Sequence, residues 1–167
     1  MHPAWLTWLP TMRTRTSWDT TWLNVAQAMS QRSACSRAQV GAVLVKGSRV
    51  VATGYNGPAS GYPADTEQGC QAWCQRAAGA APAAGTGYGY ACPAIHAEAN
   101  ALLHASRADT EGATLYVTHS PCAECAKLIS NSGVVCVVMA ENPPDHRPNP
   151  IPYLKMCGIE VEITEWL

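Results

Sequence analysis

Two short stretches constrain this chain more than anything else in it: His96-Ala97-Glu98 and Pro121-Cys122-Ala123-Glu124-Cys125. Each opens a segment that reads as a helix. Ala97, Ala99, Ala101, Leu102 and Leu103 are good helix formers. Pro121 suits a helix start, where its missing N–H would have no intrahelical partner. Cys122 and Cys125 then stand at i and i+3 in one turn and point the same way. The positive end of that helix favours thiolates. One imidazole and two thiolates make three ligands of a tetrahedral metal, leaving the fourth position to water as in catalytic zinc sites. Glu98 is left over, two residues from a ligand, where it can handle protons. A fold that uses these groups together must bring two helix starts face to face. Taken alone, C-x-x-C also reads as a redox pair or as buried thiols. The upstream H-A-E favours the metal over both.

With 167 residues the chain is expected to form one domain, residues 17–167, behind a flexible extension over residues 1–16. Apolar residues make up 47% and charged residues 14%, a globular balance. Net charge is −1 and no Lys/Arg run occurs, so no nucleic-acid partner is expected. No apolar run approaches the ~18 residues of a membrane span. The N-terminus lacks the pattern of a signal peptide. Eight cysteines without a secretion signal point to a reducing compartment and metal ligation, hence the cytoplasm, or a host's cytoplasm for a phage protein. Residues 1–11 precede Met12, a second candidate start, and are expected to be dispensable.

Ser17 reads as the N-cap of a first helix whose stripe Trp18, Trp22, Val25, Ala26 and Met29 should be buried. Val40–Lys46 and Arg49–Tyr55 read as a hairpin turned by Gly47-Ser48. Asn56-Gly57 reads either as a plain turn or, with Asn56 projecting from a strand end, as a substrate contact. Residues 59–94 form a long insertion with a short helix expected over Glu67–Ala78. The His96 helix is expected to reach Ser106. A strand over Ala113–His119 delivers Pro121-Cys122, and the Cys122–Asn131 helix stops at Gly133. Val134–Ala140 reads as a strand buried on both faces. After the proline-rich stretch 141–152, a short helix near Tyr153–Cys157 and a strand over Ile159–Thr164 close the chain. Cys136 and Cys157 are expected to be core thiols. This order predicts a mixed sheet with helices on both faces, its site at strand C-terminal ends.

The stretches VGAVLV, GYNGPASG, HAEANALL, GATLYVTHSPCAECAKLISNSGV and CGIEV resemble the deoxycytidylate (dCMP) deaminases. The resemblance runs from about Trp18 to Val161 and is weakest in the insertion. The metal motif identifies the superfamily. GYNG and the Cys-Ala-Lys after the second thiol narrow it. The resemblance implies an α/β, three-layer α/β/α cytidine-deaminase-like fold with a central mixed five-stranded sheet. It implies zinc-dependent hydrolysis of dCMP to dUMP and ammonia, with dUMP feeding thymidylate synthesis. His96, Cys122 and Cys125 would hold the zinc and Glu98 would be catalytic. Asn56 would help hold the nucleotide, and Arg107, as the arginine ending the HAE helix, would lie near the phosphate or effector region. For Arg107 a solvated helix-end cation is the alternative.

The resemblance further implies homo-oligomers, hexamers or dimers, and in many members control by dCTP and dTTP, with Mg2+ accompanying the triphosphates. Some members hold a second, structural zinc. Cys35 matches its first ligand, and Cys70, Cys74 and Cys92 are the candidates for the rest. The chain departs from the pattern here, since Pro63, Ala64 and Asp65 stand where cysteines commonly follow GYNG. A deaminase of 5-substituted dCMP, or of tRNA or single-stranded DNA, is the alternative activity.

Overall fold

The computed structural model describes residues 14–62, 74, 92–140 and 149–164. The expected extension, the Glu67–Ala78 helix, Cys70 and most of the proline-rich stretch lie outside the described residues. The first helix, α1 (Trp18–Ser30), is capped by Ser17, whose hydroxyl accepts the Thr20 N–H at 3.1 Å. Its fully buried line is Leu23, Ala26 and Ser30, with Trp22, Val25 and Met29 on the flank. The expected stripe is therefore rotated. Trp18 is 61% exposed and stacks on Trp22 with ring centroids 5.1 Å apart. The cause is the close approach of α1 to Gly41, where an added Cβ would fall 1.8 Å from the Ala26 carbonyl oxygen. At that contact the helix presents Ala26 and Ser30, both small.

Strands β1 (Gly41–Lys46) and β2 (Arg49–Tyr55) form the expected hairpin. Gly47 and Ser48 both take positive φ, 55° and 59°, the combination that matches the twist of a two-residue turn. The Asn-Gly pair is not a tight turn, because neither Asn56 nor Gly57 has positive φ. The chain runs on extended into β3 (Gly57–Pro58), which pairs antiparallel with β4 (Ala94–Ile95). That two-stranded ladder closes the base of the insertion, so Ala94 belongs to the framework.

The helix after His96, α2, covers Ala97–Leu103 and stops short of Ser106. Ser106 instead caps a separate turn, α3 (Arg107–Thr110), through a capping box with Asp109. These two side chains offer the backbone partners that break the helix in two. Then follow β5 (Thr114–Val117), α4 (Ala123–Ser132), β6 (Cys136–Met139), α5 (Ile151–Met156) and β7 (Glu160–Ile163). Gly133 ends α4 with φ 94°. Pro152 lies within the first turn of α5, where a proline is tolerated. Cys157, expected in the core, is exposed, because it caps α5 at the turn into Gly158.

The large sheet has the order β2-β1-β5-β6-β7. β1 is antiparallel to β2 and β5, whereas β5, β6 and β7 are parallel. It is a mixed five-stranded sheet, as expected. Strand alternation sorts the core. Val43, Val45, Tyr116, Cys136 and Val138 meet Leu23 and Ala26 of α1. Leu44, Leu115, Val117, Val137 and Met139 face the other way, onto Ala97, Ala101, Ile129 and Leu154 of α2, α4 and α5. Each large aliphatic fully buried there contributes roughly 1.5–3 kcal/mol.

Candidate active site

Position 54 explains how the site is held. A Cβ on Gly54 would lie 2.1 Å from the Ala97 carbonyl oxygen, so glycine lets the first turn of α2 rest on β2. Asn100 of the same helix donates to the Tyr55 carbonyl at 2.7 Å. Together these contacts fix His96, the N-cap of α2. Its ring makes no capping bond and turns instead to the thiols. Cys122 is the N-cap of α4, so Pro121 precedes the cap rather than opening the helix. The Cys125 N–H donates to the Cys122 Sγ at 3.4 Å.

His96 Nδ1 lies 3.4 Å from Cys122 Sγ and 3.4 Å from Cys125 Sγ. Zinc bonds of ordinary length at tetrahedral angles put such N and S atoms about 3.5 Å apart. These two separations suit a zinc ion held by the imidazole and both thiolates. Among the described residues, one other set of three ligating groups lies within 4.8 Å, Cys136 with Glu160 and Glu162.

Residues 16–141 match the family described as the cytidine and deoxycytidylate deaminase zinc-binding region. The chain belongs to this deaminase family. It is 48% identical over 126 residues to a deoxycytidylate deaminase of Mycobacterium phage D29, covering 74% of this chain and 94% of that relative. It is 36% identical to the deoxycytidylate deaminase of Enterobacteria phage T2, over 83% of this chain and 88% of the other. Among solved structures, the dCMP deaminase of cyanophage S-TIM5 in complex with dCMP and dUMP superposes with a TM-score of 0.66. That match has 28% identity and covers 91% of this chain and all of the other.

In this deaminase the hydrogen bond between the two sulfurs drives their acidities apart. Cys122 is pulled down to about 4, first by its hydrogen bond with Cys125 and further by His96. Cys125 is pushed up by the same bond and by burial. A bound cation favours the thiolate form of both. Glu98, 4% exposed, sits one residue into α2, and burial raises its carboxyl above the ordinary range while His96 opposes the shift. A carboxyl so placed can both take and return a proton.

The pocket above these groups is lined by Arg37, Asn56, Cys74, Cys92 and His119 among others. Asn56 is buried, with its Oδ1 accepting the Val40 N–H at 2.8 Å and its Nδ2 donating to the Ala38 carbonyl at 2.9 Å. Cys35, Cys74 and Cys92 all line the pocket, but their sulfurs do not form a set of three within 4.8 Å. Cys70 lies outside the described residues.

Arg107 is elsewhere. It begins α3 rather than ending the His96 helix, and its guanidinium donates to the Asn131 carbonyl at 3.0 Å. It braces the C-terminus of α4 and does not line the pocket. The reason is the helix break at Ser106, which turns Arg107 toward α4. Sequence reasoning missed three polar lining residues, Arg37, His119 and Ser120. The last has a buried hydroxyl with no hydrogen-bond partner in the protein. A signal was present for Ser120, which stands two residues before the candidate ligand Cys122, but none marks Arg37 within an irregular stretch.

Proposed function

We propose that this chain hydrolyses dCMP to dUMP and ammonia, with His96, Cys122 and Cys125 as zinc ligands and Glu98 as the acid–base group. The observation that carries the reading is the convergence of Nδ1 and two Sγ atoms at 3.4 Å beside a buried carboxyl. Its narrowing to dCMP draws on the deoxycytidylate deaminases the chain resembles, one of them nearly half identical. When bound, zinc supplies a water acidified to near neutrality. Glu98 takes a proton from the attacking water as its oxygen reaches C4 of the cytosine. Glu98 passes that proton to N3, then carries the proton of the new C4 hydroxyl to the amino group, so that the C4–N bond breaks, ammonia leaves and the C4 carbonyl of the product forms. One carboxyl serves as base and acid because the steps follow one another. Burial suits it to the task, since a raised pKa makes returning the proton easier. Asn56 shapes the pocket wall and retains one N–H and one lone pair for the nucleotide.

The same reading extends to an oligomeric cytoplasmic enzyme controlled by dCTP and dTTP with Mg2+, and to a second zinc drawing on Cys35, Cys74, Cys92 and Cys70. The cysteines gathered along one pocket support the second metal. Metal analysis giving one zinc per chain, unchanged by Cys35→Ser, would end that part. The test of the activity is ammonia release over dCMP, dCTP, deoxycytidine, CMP and 5-substituted dCMP. Highest kcat/KM on dCMP is expected, and faster turnover of a tRNA anticodon stem would overturn the reading. Among the described residues no helix is long and apolar enough to cross a membrane.

A further inference from the structure

We propose that Cys136, Glu160 and Glu162 form a further metal site, which takes a divalent cation of zinc's kind and ties the edge strand β7 to β6. Cys136 packs on the α1 face of the sheet, opposite the face that carries α2 and α4. It stands in register with Glu160 across the parallel β6–β7 pair. Glu162, two residues on, returns to the same face because side chains alternate along a strand. The Cys136 Sγ and one carboxylate oxygen from each Glu all lie within 4.8 Å of one another. Around a tetrahedral zinc such atoms stand about 3.3–3.7 Å apart. Both Glu side chains are exposed at the edge, so their rotation closes the gap that remains.

Two observations set this cluster apart from an ordinary acidic edge. The first is the thiol. Cys136 is only 9% exposed and its sulfur makes no hydrogen bond among the described residues, yet it is aimed at the two carboxylates. A buried cysteine that serves only as a small hydrophobe has no use for such neighbours. The second is the missing counter-charge. Asp19, at the start of α1, adds a third negative charge that acts on the same sulfur, and the Tyr116 hydroxyl holds it there at 2.9 Å. Among the described residues none of these three carboxylates forms an ion pair. Like charges gathered on one face repel, and a cation relieves them. One sulfur with two oxygens selects zinc or cadmium over magnesium and calcium, which take oxygen alone. Binding releases the thiol proton to water, since the ligand is the thiolate. The cation then joins β7, which has β6 as its single neighbour in the sheet, to a strand of the interior.

The experiment takes the full chain loaded with zinc at His96, Cys122 and Cys125, frees it of loosely held metal, and titrates it with Cd2+ at neutral pH. Wild type is compared with Glu160→Gln/Glu162→Gln, Cys136→Ser and Cys35→Ser. Bound cadmium is counted, the ultraviolet thiolate-to-cadmium band is recorded, and Tm is followed. Zinc content is tracked in parallel, so that exchange at the first site is counted separately. Wild type should take up Cd2+ with a thiolate band and a rise in Tm that Mg2+ does not reproduce. Glu160→Gln/Glu162→Gln should weaken this uptake at least about tenfold, since even the outer partners of metal ligands are worth about 10- to 100-fold in affinity. Cys136→Ser should lose the same increment of the band, and Cys35→Ser should keep it. Uptake and Tm gain unchanged in Glu160→Gln/Glu162→Gln overturn the proposal, as does an equal gain with Mg2+. An increment lost in Cys35→Ser but kept in Cys136→Ser places the cadmium elsewhere and overturns it too. If Cys136→Ser does not fold, the exposed Glu pair decides alone.

Discussion

Gly54 and Ala97 approach so closely that any side chain at position 54 would meet the backbone of α2, with an added Cβ 2.1 Å from the Ala97 carbonyl oxygen. Ala97 lies between His96 and Glu98, so this contact sets the height of the proposed metal-binding imidazole and of the carboxyl above the sheet. Gly54→Ala should therefore do two things. It should destabilise the fold by about 1–3 kcal/mol, the usual cost of overpacking. It should also weaken zinc retention by displacing His96. Thermal unfolding and zinc content against a chelator series check both, and an unchanged zinc affinity would contradict the second.

Glu98→Gln should keep zinc and lose turnover. The side chain is buried beside the ligand set but contributes no ligand in the proposed site. Proton transfer of this kind is worth about 10²–10⁴-fold. Activity within about tenfold of wild type, at full zinc content, would remove Glu98 from the chemistry.

Arg107→Ala should cost only a little stability, about 0.5–1.5 kcal/mol for one exposed hydrogen bond to a helix-end carbonyl. The preference for dCMP over deoxycytidine should not move. A collapse of that preference would return Arg107 to the substrate site.

Asn56→Ala removes two hydrogen bonds from a buried side chain to the segment behind Arg37. It strips the Val40 N–H and the Ala38 carbonyl of these partners, at about 1–3 kcal/mol each if they stay buried. KM for dCMP should rise more than kcat falls, because the clamp acts on binding geometry. Equal effects on both would point to a global loss of structure, which the melting curve would reveal.

Cys136 and Cys157 should separate under alkylation. Burial pushes the Cys136 thiol up to about 11, and nearby Glu162 and Glu160 add to the shift. At pH 8 it is almost wholly protonated, and thiolate is the reactive form. Cys157 is exposed. Peptide mapping after iodoacetamide should find Cys157 modified well before Cys136, with the gap closing as pH rises toward 11. Early modification of Cys136 would mean that β6 and β7 part readily.

What the sequence determined by itself was local chemistry at fixed spacing. H-A-E and P-C-A-E-C are short enough that one helical turn dictates where their side chains point. The ligand set and the spare carboxyl were therefore legible before any fold was known. The order of strands and helices likewise predicted a mixed sheet with helices on both faces, since strands joined by helices pack in few ways. The tertiary structure decided whatever depended on distant partners. Trp18 lost its place in the core because Gly41, on another element, drew α1 onto its small residues. Asn56 and Gly57 escaped the turn that their dipeptide favours, because β3 found a partner in β4 some 37 positions on. Arg107 left the pocket because Ser106 and Asp109 cut the helix and the Asn131 carbonyl took the guanidinium. Arg37 entered it because Asn56 and Thr118 hold the following backbone from two different strands. Those outcomes turn on contacts between residues far apart in the chain, and no local pattern encodes such contacts one residue at a time.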